Sequence, residues 1–362
     1  MLILAYETSC DDTCAAVIKN GREVLSNEII SSAAVQNIYG GVVPEIASRS
    51  HVDVIDVVTQ KALRNAGLTF NDIDAIAVTQ GSGLLGALIV GVSYAKAAAY
   101  SLNIPLIPVS HIKSHIAACY IGTDLQPPFI CLLASGGHTS IMLCEDYLSY
   151  KVLGGTLDDA AGEAFDKVAR VLNLGYPGGP AIEKCAKEGK DNIVFPKMLK
   201  GAEGYNFSYS GLKTAVLNYI NNARQKSRPV GFSAIPREGN CHAPRLTPHE
   251  AAPSAAPPPL ERGINDICRS FQTNALSVLC EKAVNACLEH NIKTLAAGGG
   301  VTANGFLRDL LTKTAALHDI KLYLPPKNLC TDNAAMTGAE GYIQYVYGKN
   351  IADLTLNAKA NV

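Results

Sequence analysis

The sequence lacks an excess of charge of either sign. Its 31 lysines and arginines balance 32 aspartates and glutamates to a formal −1. That excludes a blanket of positive charge, so a nucleic-acid partner must meet a local patch or be brought by another protein. Paired Cys-x-x-Cys motifs are also missing. Eleven cysteines, an odd number spread from Cys10 to Cys330, read as reduced thiols of a cytosolic protein and not as a disulfide framework. No signal peptide is expected, because the opening apolar run is very short and meets Glu7, Asp11 and Asp12. Nor is there an unbroken membrane span. Ala75 to Ala95 is uncharged for 21 residues, which reaches spanning length, but Thr79-Gln-Gly-Ser-Gly83 cuts it into strand, turn and helix. A soluble, cytoplasmic chain without membrane contact follows, with this stretch as a buried βα unit.

What is present is ample core material. Hydrophobic residues make up 48% of 362, enough for two lobes. Leu2 to Glu7 reads as a buried strand, Thr8 to Thr13 as a polar turn, and Cys14 to Ile18 as a returning strand. Asn20-Gly21 is a hairpin turn before a third strand, Glu23 to Ile30. A long helix over Pro44 to Ala66 follows, then a strand at Asp74 to Val78, a helix at Leu84 to Leu102 and a strand at Ile104 to Val109. Near residue 129 the pattern restarts: strand Phe129 to Ala134, glycine-rich turn Ser135 to Thr139, strand Ser140 to Cys144. Helices are expected at Asp158–Leu172, Ala181–Glu188, after Ser210-Gly211, and at Ile264–His290, Ala303–Ala316 and Asn333–Tyr347, with strands at Lys293–Ala297 and Lys321–Leu324. Such a repeat predicts an α/β architecture of two lobes with a cleft between them. Ser227 to Arg262 interrupts it with eight of the 18 prolines. It reads as a disordered, Pro/Ala-rich surface insertion, whose Cys241, His242 and His249 are poor metal-ligand candidates for that reason.

His111 and His115 stand four residues apart, just after a strand. On a helix they share a face, about 6 Å apart along the axis, a spacing that lets two imidazoles grip one divalent metal. A third ligand must come from elsewhere. Asp332, just ahead of the last helix, is a suitable oxygen ligand or a helix cap. A zinc peptidase of the His-Glu-x-x-His type would need a glutamate at position 112, where Ile112 stands. The two hairpin turns suit phosphate: Ser135-Gly136-Gly137 offers converging backbone N–H groups, Thr8 and Ser9 offer hydroxyls, and Asp11 and Asp12 suggest a cation or a proton transfer. Gly298-Gly-Gly300 could seat a base or ribose, or serve a close helix–strand crossing, and Asn304 stands at a helix start. Asp158, Asp159 and Glu163 suit the first turns of a helix. Asp166 lies too far in for that reason and could accept hydrogen bonds from a substrate.

Together these motifs resemble the TsaD family of tRNA adenosine threonylcarbamoyltransferases. The marks are Glu7-Thr-Ser-Cys-Asp-Asp12, Gly40-Gly-Val-Val-Pro-Glu-Ile-Ala-Ser-Arg49, His111-x-x-x-His115, Ser135-Gly-Gly-His-Thr139, Asp158 to Lys167, Tyr176-Pro-Gly-Gly-Pro180, Phe207 to Lys213, Gly298 to Asn304 and Thr331-Asp-Asn333. The resemblance covers the chain apart from the proline-rich insertion. It implies two ribonuclease-H-like lobes of the actin, hexokinase and Hsp70 (ASKHA) type: residues 1–126 joined by the last helix within 334–362, and 127–333, with 227–262 as the disordered insertion. It implies transfer of threonylcarbamoyl from threonylcarbamoyl-AMP to N6 of the adenosine following the anticodon in tRNAs reading ANN codons. It further implies one divalent metal, Fe(2+) or alternatively Zn(2+), on His111, His115 and Asp332. Leu133, Ala134, Ser135, Gly136, Gly137, Asp166, Gly179 and Asn304 would bind substrate. Asp11 is the candidate proton acceptor. A TsaB-like paralogue and a TsaE-like ATPase would be partners. Two departures stand out: Lys113-Ser114 where the family usually has Glu-Gly, and Gly81-Ser82-Gly83 where many members have Gly-Pro-Gly. Helical geometry turns Lys113 roughly 160–200° from both histidines. The competing readings are an ATP-dependent small-molecule phosphotransferase of the same fold and a non-catalytic nucleotide- or protein-binding scaffold.

Overall fold

The computed structural model describes every residue except 37, 38, 40, 200–203, 227–260, 361 and 362. Strands β1 (Leu2–Glu7) and β2 (Asp12–Lys19) pair antiparallel, Ile3 opposite Ile18 and Ala5 opposite Ala16. Both read as nearly continuous apolar runs because both faces of their sheet are covered. Asn20 and Gly21 take φ of 52° and 68°, the positive pair a tight hairpin needs, and lead into β3 (Glu23–Ser31). A short helix α1 (Ala33–Gln36) precedes α2 (Pro44–Ala66), which opens on a proline and closes at Gly67 with φ of 68°, the expected caps at both ends. Strand β4 (Ala75–Gly81), helix α3 (Leu85–Leu102), strand β5 (Leu106–Ser110) and helix α4 (His111–Ala117) complete the first half. Both β4 and β5 are parallel to β1, giving the order β3-β2-β1-β4-β5.

The second half repeats this topology. Strands β6 (Phe129–Ala134), β7 (Thr139–Cys144) and β8 (Tyr150–Gly155) form an antiparallel meander. Helices α5 (Ala161–Val171), α6 (Gly178–Ala186), α7 (Ser210–Lys226) and α8 (Glu261–Glu289) then precede the parallel strand β9 (Thr294–Gly298). Helix α9 (Gly305–Leu317), strand β10 (Lys321–Tyr323) and helix α10 (Ala334–Ile343) follow. The sheet runs β10-β9-β6-β7-β8, the first order read from the other end. Both halves are ribonuclease-H-like, and the chain has the two-lobed architecture of the actin and Hsp70 type. Strand β8 is an edge strand that the sequence pattern does not announce. A register shift between Ile141 and Met142 breaks its pairing with β7, and two glycines end it, so its alternation of apolar and polar residues is lost. The disordered insertion expected at 227–262 falls mostly outside the described residues. Its last two positions, however, belong to α8, since no proline follows Pro259 until Pro325.

Three cores hold these layers. One lies between the first sheet and α2 and α3, and another joins the second sheet to α5 through α9. The third lies between the sheets: Ile3, Ala5 and Ala77 face it from one side, Cys131, Leu133 and Ala296 from the other, with Ile116 of α4 and Ala335 and Ala339 of α10 in the middle. Helix α10 packs on β1, β2, β4 and α4. Its first turn is tied to the first sheet, where Asn27 accepts the Ala335 N–H at 3.2 Å. The uncharged run is a strand and a helix as expected, but α3 is only one-third buried. It exposes Leu85 and Ile89, and α2, which packs on it, exposes Val52.

Candidate functional site

Strand β5 ends at Ser110 and α4 starts at once, so both histidines enter the layer between the sheets. Their rings meet edge to face, centroids 4.7 Å apart. The loop before α10 brings Asp332 to them: Oδ1 lies 3.3 Å from His115 Nε2 and 3.7 Å from His111 Nε2. The three ligand atoms lie within 4.8 Å of one another. Both ring nitrogens of His115 are buried without a hydrogen bond. Buried polar atoms are rarely left so, and a cation among the three side chains would satisfy Nε2. The donor set of two imidazoles and one carboxylate fits a divalent metal with open positions.

Electrostatics bind the cluster to its surroundings. Burial alone would raise Asp332, but the His111 and His115 imidazoles hold it well below the usual carboxylate range. His111 is pushed up to about 9, the Glu7 and Asp332 carboxylates outweighing the opposite effect of burial. Asp11 is raised by burial, with Asp332 adding to it, and Asp166 is raised by burial, with Asp11 adding to it. Asp12 is pushed up to about 6 by its own burial.

The second hairpin lies near α4, since β9 ends between them: a side chain at Gly298 would meet His115 O and one at Gly299 would meet Ala134 O and Ser135 N. The turn's carbonyls are taken, since Ser135 and Gly136 accept the N–H groups of Gly162 and Glu163 at the start of α5. Gly136 and Gly137 themselves are exposed, their N–H groups make no hydrogen bond among the described residues, and no atom lies near where a side chain would stand. That leaves their amides to an anion. Leu133 and Ala134 are fully buried in β6, so they can offer a ligand only backbone. Gly179 stands open in the first turn of α6, whose Gly178 N–H is held by Asp166 Oδ1 at 2.7 Å. Asn304 caps α9: its Oδ1 accepts from Leu307 N–H and its amide donates to Gln272.

Several local readings need correction. Helix α5 begins at Ala161, so Asp158 and Asp159 precede it. Asp158 instead accepts from Tyr209 N–H and the Ser208 hydroxyl, and Asp159 bridges Lys167 and Lys213. A side chain at Gly298 or Gly299 would meet the His115 or Ala134 carbonyl at 2.5 or 2.4 Å. These glycines therefore serve the close approach of α4 and β6, the crossing that the sequence also allowed. The hydroxyls of Thr8 and Ser9 are committed inward, to Ala87 O and His111 Nδ1.

A family model described as TsaD, tRNA N6-adenosine threonylcarbamoyltransferase, matches residues 23–339. The chain belongs to the TsaD family. It is 46% identical over 364 residues to a tRNA N6-adenosine threonylcarbamoyltransferase of Clostridioides difficile (strain 630), covering 100% of this chain and 98% of that one. Proteins of the same name from Clostridium perfringens (strain SM101 / Type A) and Staphylococcus aureus (strain JH9) are 47% and 44% identical, each over 100% of this chain and over 97% and 96% of theirs. Among solved structures, T. kodakarensis HypF aligns at a TM-score of 0.59 and 15% identity, over 96% of this chain and 48% of that one. The Acidaminococcus fermentans (R)-2-hydroxyglutaryl-CoA dehydratase component A aligns at 0.51 and 12%, over 97% and 99%. These two show the fold alone.

Within this TsaD chain the departure at 113–114 leaves the metal ligands untouched. Lys113 lies over the Tyr150 ring, 5.2 Å from its centre, and the Ser114 hydroxyl donates to Ser110 O. Two residues escaped the sequence reading. His138, on the second hairpin, is lowered first by burial and further by the His111 and His115 imidazoles. Glu7 lies beneath His111. Its one sequence signal is a carboxylate closing an otherwise apolar buried strand, which demands partners.

Proposed function

We propose that this chain transfers the threonylcarbamoyl group of threonylcarbamoyl-AMP to N6 of the adenosine following the anticodon in tRNAs reading ANN codons, with AMP released. The observation that carries this is the His111–His115–Asp332 cluster within a chain of the TsaD family that also presents the open Gly136–Gly137 turn. One divalent metal, Fe(2+) with Zn(2+) as the alternative, is held by those three side chains; when bound it polarises the carbonyl to be attacked. The amides of Gly136 and Gly137 bind the phosphoryl side at the end of Leu133-Ala134-Ser135, where the Ser135 N–H closes the turn on His138 O, with Asp166, Gly179 and Asn304 toward the nucleoside. Asp11, raised by burial, takes the proton from the attacking amine. The two lobes are residues 1–126 with the last helix within 334–362, and residues 127–333, which include the insertion 227–262. The family resemblance supports a TsaB-like paralogue and a TsaE-like ATPase as working partners in the cytoplasm. The exposed Val52, Leu85 and Ile89 offer the paralogue an apolar face. A phosphotransferase or a scaffold would leave the two imidazoles and their carboxylate without a task.

The test is transfer of labelled threonylcarbamoyl to tRNA with the partner proteins supplied. Transfer is expected from the wild type and not from His115→Ala. No transfer by the wild type, or full transfer by the variant, would overturn the reading.

A further inference from the structure

We propose that Glu7 is the positioning residue that fixes the ring orientation and tautomer of His111 toward the metal. The inference rests on the metal reading above and adds a residue that touches neither metal nor substrate. Glu7 closes β1, and its side chain is 1% exposed. Its Oε1 accepts the Ser9 N–H at 2.5 Å. Its Oε2 accepts the Thr79 hydroxyl at 2.6 Å and lies 3.1 Å from His111 Nδ1. A carboxylate can only accept, so Nδ1 carries the hydrogen in that contact. The lone pair of the neutral ring then sits on Nε2, the atom that faces Asp332. Ser9 Oγ, also 3.1 Å from Nδ1, is a second acceptor for the same hydrogen.

The same carboxylate references the other ligand-bearing element. Thr79 Oγ1, which donates to Glu7, lies 3.2 Å from Thr337 Oγ1 on α10, the helix that begins two residues after Asp332. One buried group therefore ties together β1, β4, α4 and α10. His115 has no such support, since neither of its ring nitrogens is hydrogen-bonded. His111 is the preset ligand, and His115 is the one the ion itself must orient. Partners of this kind govern metal affinity through ligand orientation and basicity.

The experiment titrates the full chain with Co(2+), read by its visible absorption, and with Zn(2+) against a chelator. Glu7→Gln keeps the shape but replaces one accepting oxygen with an amide donor that faces the Ser9, Thr79 and His111 donors. It is expected to weaken binding about 10–100-fold and to alter the Co(2+) spectrum. Thr79→Val, which removes one donor to Oε2 and leaves the carboxylate in place, is expected to weaken it several-fold and covers the case of a Glu7→Gln protein that does not fold. Nitrogen chemical shifts of the Zn(2+)-loaded wild type should show His111 with its hydrogen on Nδ1 and Nε2 as the metal-bound nitrogen. Wild-type affinity and spectrum in the folded variants would overturn the inference while leaving the metal reading intact. A wild type that binds neither ion would sink the metal reading and this inference with it.

Discussion

The two hairpin turns, Thr8–Asp11 and Ser135–His138, occupy the same place in the two sheets and have the same length, yet they do opposite things. The first turns its polar groups inward: the Ser9 hydroxyl meets His111, the Thr8 hydroxyl donates to Ala87 O, and Glu7 lies behind them. The second leaves bare backbone at Gly136 and Gly137. The duplicated topology fixes where a turn sits at the cleft. The side chains decide whether it becomes a buttress for ligands or a cradle for an anion. The halves differ equally in buried charge, because Glu7, Glu340 and both metal-site histidines are all sheltered on the first-sheet side.

The largest effect is expected at the ligands. His115→Ala or Asp332→Ala should abolish stoichiometric metal binding, read by metal analysis, while leaving nucleotide binding at the second turn in place. Loss of both together would mean that the turns do not act separately.

Next comes buried charge. Burial lifts Glu340 to about 7 from an ordinary 4.5, with the Gln344 amide and the Lys113 charge opposing the rise. The folded protein then holds this proton more tightly than the unfolded chain, so stability is fully present below pH 4.5 and falls as pH rises toward 7. Glu340→Gln removes that loss. Relative to wild type it should gain about 3 kcal/mol between pH 4.5 and pH 8, measured by urea unfolding across that range. A gap that does not change with pH would refute it.

The second turn can be filled without touching the fold. Gly137→Val places its side chain in open space, so melting should not change, while AMP affinity should fall about tenfold if the turn seats the phosphate. Calorimetric titration decides this, and unchanged affinity would move the phosphate elsewhere. The smallest effect is expected from Ser9→Ala, which removes the second acceptor from His111 Nδ1. Cobalt affinity should fall only a few-fold, with AMP affinity unchanged.

How much was legible in the sequence follows from the range of the interactions. The strands from Leu2 to Ile30 and the helix Pro44–Ala66 are written in local apolar runs and caps, and the structure agrees with them to within a few residues. Strand β8 was not legible, because its pairing with β7 shifts register and its glycines hide the alternation. The His111–His115 pair could be read from helical periodicity, but its meeting with Asp332 spans more than half the chain. Glu7 and Thr79 are silent for the same reason: their roles exist only once β1, β4 and α4 lie side by side. The glycines at 298 and 299 were visible, but not the carbonyls they must clear.

Both imidazoles stand on α4, and the carboxylate stands just ahead of α10, whose first turn is bonded to Asn27 of the first sheet. An ion held there would sit in the layer that both sheets bury. Taking nucleotide away from the second turn should leave it in place, so metal analysis of protein stored without nucleotide should find the same metal content as with it.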